Sequence, residues 1–258
     1  MKKCILESHR GVCTDAPDNT MAAFRLAVEL GYGMIELDTK FTKDGRCVVL
    51  HDRTVNRTGR YADGREIEPD TKIAELTYEE ARKLDFGIWF SEKYRGEKIP
   101  AFEEALQVAL DSGVPLKLDN VWQTHTDAEQ ETFFEIIEKM GAVNHVGFTV
   151  TKPEYAEKVL ERFPSAQIHY DGQIDDESLA AIAAVVPKEQ LTVWQRLDNG
   201  YGSGWCKVPT ATDESVCKIK KIGKLGLWLL KKPEELAEAV EHFDADVVET
   251  DGSLKPVK

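Results

Sequence analysis

No apolar stretch of the chain approaches the ~18 residues that a membrane-crossing helix requires, so no helical span is expected. Cysteine is sparse. Cys4, Cys13, Cys47, Cys206 and Cys217 are odd in number and scattered, without a CxxC pair, which argues against a disulfide framework and against a zinc site. Positive charge is also short: 33 Lys and Arg stand against 46 Asp and Glu, a formal net charge of −13. That balance disfavours broad electrostatic binding to nucleic acid or to an anionic membrane. It leaves room for a small anionic substrate, which a local metal or a few cations can hold. There is no glycine-rich dinucleotide fingerprint, no internal repeat and no low-complexity tract. The apolar stretch after Lys2 and Lys3 stops at Glu7, too short for the core of a signal peptide. A reduced, cytoplasmic protein is the expectation, either as a single chain or as a homo-oligomer.

What is present is 258 residues of ordinary globular composition, 42% hydrophobic and 31% charged. Short β-branched or apolar runs occur at 5–9, 34–40, 47–51, 116–119, 145–149, 166–170, 191–194, 225–229 and 246–250. Amphipathic stretches of helical length separate most of them. The first, 19–30, ends at Gly31, and Pro153 and Pro233 suit first helical turns. Nine strands are one too many for an eightfold barrel. The sequence Lys43-Asp44-Gly45-Arg46 explains the surplus as a hairpin in which 47–51 returns antiparallel to the second strand. The eight strands left, alternating with helices over a length of about 250 residues, predict a (β/α)8 TIM barrel in one domain. An open doubly wound sheet is the structural alternative. The stretch 52–100 breaks the rhythm and reads as an insertion in the second βα loop, over the catalytic face of the barrel. Trp89, Phe90 and Tyr94 argue that it is ordered.

Several residues carry potential chemistry. Glu36 and Asp38 are two apart on the second strand and so share a face. A two-residue turn at Asp44-Gly45 would pair Lys43 with Arg46 and place His51 opposite Asp38, on the same face. His9-Arg10-Gly11 ends the first strand, next door in a barrel. A histidine there can move protons near neutral pH, and an arginine offers a fork for phosphate. Asp119 ends the third barrel strand, where it either caps the next helix or completes a three-carboxylate site suited to Mg²⁺ or Ca²⁺.

These residues, in this order, resemble the glycerophosphodiester phosphodiesterase family, (β/α)8 barrels related to phosphatidylinositol-specific phospholipases C. The resemblance rests on His9-Arg10-Gly11, on 16–24, on Glu36-Leu37-Asp38, on 42–45, on Val48-Val49-Leu50-His51-Asp52, on Arg57-Thr58-Gly59 and on 99–106. The closing 246–252 is similar to the family's last strand. The resemblance implies that His9 and His51 act as general acid and base and that Arg10 contacts phosphate. It also implies that Glu36, Asp38 and Asp119 bind a divalent cation, Mg²⁺ or Ca²⁺. The expected reaction is hydrolysis of a small glycerophosphodiester to an alcohol and glycerol 3-phosphate, within lipid and glycerol metabolism. A phosphodiesterase or a cyclising lyase acting on a different polyol or sugar phosphodiester, and a non-catalytic ligand-binding barrel, are the alternatives.

The chain also departs from the family pattern. Pro17-Asp18-Asn19-Thr20 stands where the family has Pro-Glu-Asn-Thr. Asp119-Asn120-Val121 replaces Glu-x-Lys, with Lys117 on the Asp119 face as a substitute for the missing lysine. Trp228-Leu229-Leu230-Lys231 keeps only the tryptophan of Trp-Thr-x-Asn. Candidate substrate contacts are Arg10, Lys117, Trp122, Trp228, and Tyr201 and Trp205 in a glycine-rich loop placed to close over a polyol or sugar. His125, His145, His169 and His242 lack motif support and are expected to be structural or exposed.

Overall fold

The computed structural model describes residues 4–200 and 208–257. Eight parallel strands close into a barrel: β1 (Ile5–Ser8), β2 (Met34–Leu37), β5 (Leu116–Leu118), β6 (Val146–Val150), β7 (Gln167–Tyr170), β8 (Leu191–Arg196), β9 (Lys224–Trp228) and β10 (Val247–Thr250). Around the ring β1 neighbours β10 and β2, and β7 lies diametrically opposite β1. Helices α1 (Met21–Leu30), α3 (Phe102–Ser112), α4 (Asp127–Lys139), α5 (Pro153–Arg162), α6 (Asp176–Val185), α7 (Asp213–Ile222) and α8 (Pro233–Ala237) connect them. The TIM barrel expected from the sequence is the fold, and the open sheet is excluded by closure of the ring. No helix among the described residues is long and apolar enough to cross a membrane.

The surplus strand pair is also present. What reads in sequence as one strand over 34–40 divides at Asp38 into β2, inside the barrel, and β3 (Thr39–Phe41), which leaves it to pair with β4 (Cys47–Val49). The register of this hairpin differs by one residue from the expected one. Thr39 faces Val49, Lys40 faces Val48, and Asp38 receives the N–H of Leu50 rather than standing opposite His51. The cause is a three-residue loop. Thr42 N–H donates to Arg46 C=O, and Gly45 takes the left-handed conformation at φ 75°. A type I turn followed by a left-handed glycine is the usual three-residue solution, and it shifts every pair after it.

Segment 52–100 builds its own small core of Val55, Ile67, Ile73, Ala81, Leu84, Phe86 and Ile99 against Val48 and Leu50 of the hairpin. It includes a short helix, α2 (Tyr78–Ala81), capped reciprocally by Thr77 and Glu80. The main core lies between barrel and helices, where Phe102, Trp122, Phe133, Phe134, Phe148 and Phe163 stack and abut.

Alternation along the strands fills the barrel with polar side chains. Glu7 pairs with Glu249, Glu36 with Lys117, Thr149 with His169, and Trp194 with Gly226. Glycine at 226 is required by packing, since a Cβ there would lie 2.5 Å from the Trp194 indole. Trp194 Nε1 in turn donates to His169 Nδ1 at 3.0 Å.

Two histidines outside the motifs tie the fold to pH. Burial, reinforced by Lys117, pushes the His169 imidazole well below its ordinary value, and burial pushes His125 down to about 4. The unfolded chain, with histidines near 6.5, therefore binds protons before the folded one does. The stability that both supply is complete above about pH 6.5 and is lost as pH falls through the folded-state values. Each titrating histidine contributes a slope of about 1.4 kcal/mol per pH unit in that window. In urea titrations between pH 7 and 5, His169→Gln is expected to lose stability less steeply than the native chain. Parallel curves would mean that His169 is not held neutral.

Candidate functional site

One cavity of about 480 Å³ opens at the C-terminal end of the barrel. It brings together His9, Arg10, Glu36, Asp38, His51, Lys117, Asp119 and Trp228 of the residues singled out in sequence. It adds Glu249, Thr149, Asp171 and Trp194, which the sequence reading left without a role.

The acidic group is built at the ends of two neighbouring strands, Glu36 and Asp38 from β2 and Asp119 from β5. One carboxylate oxygen from each of Glu36, Asp38 and Asp119 lies within 4.8 Å of the other two. Burial, and then the mutual repulsion of these carboxylates, raises Glu36 well above its usual range. The same causes push Asp119 up to about 6. Each carboxylate is also aimed by a neighbour. The backbone N–H of Arg10 donates to Glu36 Oε2 at 2.8 Å. Asn19 Nδ2 donates to Asp38 Oδ2 at 2.9 Å, and Asp119 accepts the N–H of Val121 at 3.0 Å. The Arg10 and Asn19 backbones both sit at φ 55°, a conformation that non-glycine residues rarely adopt and that surrounding contacts must hold. An all-oxygen set of this density suits a hard cation such as Mg²⁺ or Ca²⁺, and the charge it accumulates is relieved by one.

Arg10 sits between Asp38 (Nε to Oδ2, 3.4 Å) and Asp18 (Nη1 to Oδ2, 3.5 Å). Arg57 ties the insertion to the same network, donating to Asp18 at 2.9 Å and to Asp52 at 2.5 Å. His51 Nδ1 donates to the other Asp52 oxygen at 2.6 Å, which leaves Nε2 free. Burial raises the Asp52 carboxyl, but the hydrogen bonds from His51 and Arg57 outweigh it and hold Asp52 below the usual range. His51 thus lines the cavity although the hairpin register differs by one residue from the expected one. Its orienting partner, Asp52, was legible as the next residue in sequence.

His9 enters from β1, with Nε2 3.7 Å from Glu249 and 3.9 Å from Glu36. Burial pushes it down to about 4, so it is neutral at pH 7. Lys117 does not stand free to bind substrate. Its ammonium is 2.8 Å from Glu7 and donates to Glu249 at 2.9 Å, over the Trp194 ring at 3.8 Å. The signal for this arrangement was the alternation that makes Glu7 share the face of His9, together with Glu249 in the adjoining strand.

Trp122 is a correction. It is fully buried outside the barrel lumen, packed on Phe133, Phe134 and Phe148, with Nε1 donating to Thr149 C=O at 2.9 Å. The turn after β5 swings it into the core, where its area is worth more than in a polar cavity. Tyr201 and Trp205 lie outside the described residues.

The family model described as the glycerophosphoryl diester phosphodiesterase family matches residues 9–162, more than half of the chain. The chain belongs to this family. A glycerophosphodiester phosphodiesterase of Caldanaerobacter subterraneus subsp. tengcongensis is 44% identical over 109 residues, 42% of this chain and 42% of that protein. Human glycerophosphodiester phosphodiesterase 1 is 36% identical over 132 residues, 50% of this chain and 38% of that one. The matches thus span about two fifths of these relatives' length. An Oleispira antarctica phosphodiesterase, solved in complex with the product sn-glycerol-3-phosphate, superposes with a TM-score of 0.73 at 21% identity. That alignment covers 96% of this chain and 93% of the other. A glycerophosphodiester phosphodiesterase of Agrobacterium tumefaciens superposes with a TM-score of 0.70 at 18% identity, covering 97% of each chain. These structures share the barrel with this member of the glycerophosphodiester phosphodiesterase family.

Proposed function

We propose that the chain hydrolyses a small glycerophosphodiester to an alcohol and glycerol 3-phosphate, with His9 and His51 moving the protons. The observation that carries this reading is the meeting, in one cavity, of two histidines, an arginine fork and a three-carboxylate cluster. Glu36, Asp38 and Asp119 would hold Mg²⁺ or Ca²⁺, and a cation there would supply Lewis-acid neutralisation of charge on the phosphoryl oxygens. Arg10, poised between two carboxylates, offers its remaining N–H groups to the phosphate. Neutral His9 presents a free imidazole nitrogen to accept a proton, and His51 is oriented by Asp52 to exchange one through Nε2. Segment 52–100, tied through Arg57 to Asp18, belongs to the same domain.

The test is hydrolysis of glycerophosphocholine, glycerophosphoethanolamine and bis(p-nitrophenyl) phosphate, each with EDTA, Mg²⁺ or Ca²⁺. Turnover is expected to fall at least tenfold in EDTA and to return with one of the metals. Phosphorus NMR should show a monoester product. A cyclic phosphate as the final product would replace hydrolysis by a lyase reaction, and inactivity on all three diesters with either metal would sink the reading.

A further inference from the structure

Across the barrel from His9, the cavity holds two polar groups for which the described residues supply no hydrogen-bond partner. Thr149 is 2% exposed, and its Oγ1 has no hydrogen-bond partner. Asp171, one residue past the end of β7, has Oδ1 shut off from solvent and equally unpartnered. Both line the cavity. They stand on adjoining strands, since Thr149 pairs with His169, and Asp171 follows His169 by two on the same face. They do not bond to one another.

Leaving a buried carboxylate oxygen and a buried hydroxyl without partners costs free energy. Such groups persist in binding sites because the ligand supplies what the protein withholds. Burial pushes the Asp171 carboxyl up to about 7, the response of an acceptor that lacks a donor. Val208, Leu229 and Trp228 line the same cavity, together with Asn120.

We propose that Thr149 and Asp171 form a subsite for a polyhydroxylated arm of the phosphodiester, a vicinal diol or sugar. Asp171 accepts hydrogen bonds from the hydroxyl groups, Thr149 exchanges a hydrogen bond with the neighbouring oxygen, and the carbon face of the arm packs on Trp228 and Leu229. This rests on the phosphodiesterase reading, because the phosphate end must sit by His9 and the carboxylate cluster for an arm to cross to β7. An ammonium arm fits less well. A quaternary ammonium satisfies Asp171 by charge but gives Thr149 no hydrogen bond.

Three diesters sharing one leaving group separate the possibilities: bis(p-nitrophenyl) phosphate, p-nitrophenyl glycerophosphate and p-nitrophenylphosphocholine. Asp171→Ala and Thr149→Val are each expected to lower kcat/KM at least tenfold on the glyceryl diester and less than threefold on the other two. Asp171→Asn should fall between native and alanine. Removing an uncompensated buried carboxylate does not threaten the fold, so the Asp171 variants should melt no lower than the native protein. Equal losses on all three diesters, a loss confined to the choline diester, or no loss at all would each overturn the subsite. Calorimetry with glycerol 3-phosphate gives a reading independent of turnover, with binding at least tenfold weaker in Asp171→Ala. If the native protein binds it through Asp171 yet hydrolyses none of the diesters, the subsite stands and the hydrolase reading falls. If the native protein does not bind it, the subsite falls.

Discussion

His51→Ala is expected to lower kcat by about 10²–10⁴-fold, the usual worth of a positioned proton-transfer group, while the protein stays folded. The side chain is 41% exposed and packs in no core, so its loss removes little burial. What it removes is a nitrogen held at the cavity by a chain of carboxylate and guanidinium contacts running from Asp52 through Arg57 to Asp18. His9→Ala should lose a similar factor, for it faces the cavity from the adjacent strand, 3.9 Å from a carboxylate of the proposed cation site. If the two act in one proton-transfer sequence, the double variant should be scarcely worse than either single one, because removing one partner already stops the sequence. Steady-state kinetics on a single diester, with circular dichroism melts as the folding control, would check this. Native-like turnover in either single variant would remove that histidine from the mechanism.

Much of this site was legible because motif residues sit at strand ends, and strand ends in a closed parallel barrel converge. Glu36 and Asp38 meet Asp119 for that reason, and His9 comes within 3.9 Å of Glu36. What could not be read were features set by tertiary context. The hairpin register depended on whether the loop held two residues or three, and only the Thr42–Arg46 pairing decides that. Trp122, three residues from the capping Asp119, carries no local sign that the turn points it toward Phe133 and not into the cavity. The role of Lys117 depended on Glu7 and Glu249, residues 110 and 132 positions away in sequence and adjacent only once the barrel closes. Asp171 and Thr149 belong to no motif. Their signal is the absence of partners, which a sequence does not display.

Lys117→Met is expected to destabilise the fold by about 3–5 kcal/mol, the cost of breaking a buried ion pair by removing one side of it. Glu7 is wholly buried, and Lys117 and Glu249 are 5% and 6% exposed. The ammonium is therefore the compensating charge for two buried carboxylates of the barrel. Even with it in place, burial pushes Glu7 up to about 7, opposed by Lys117. Methionine keeps the length and most of the volume of the side chain, so the loss reports charge and not a cavity. The control is a second substitution. Glu7→Gln added to Lys117→Met takes away one of the stranded carboxylates and should recover a good part of the deficit, although Glu7→Gln alone removes no stranded charge. Non-additivity of that kind is what a shared network gives and independent packing does not. Urea unfolding of the four proteins would decide it. A deficit below about 1 kcal/mol for Lys117→Met, or strict additivity in the double variant, would mean that water or a bound cation already compensates Glu7 and Glu249. Glu249 also faces His9, so the same variant should disturb catalysis. A drop in kcat that survives recovery of stability in the double variant would then separate the charge that Lys117 supplies to the site from its part in holding the barrel together.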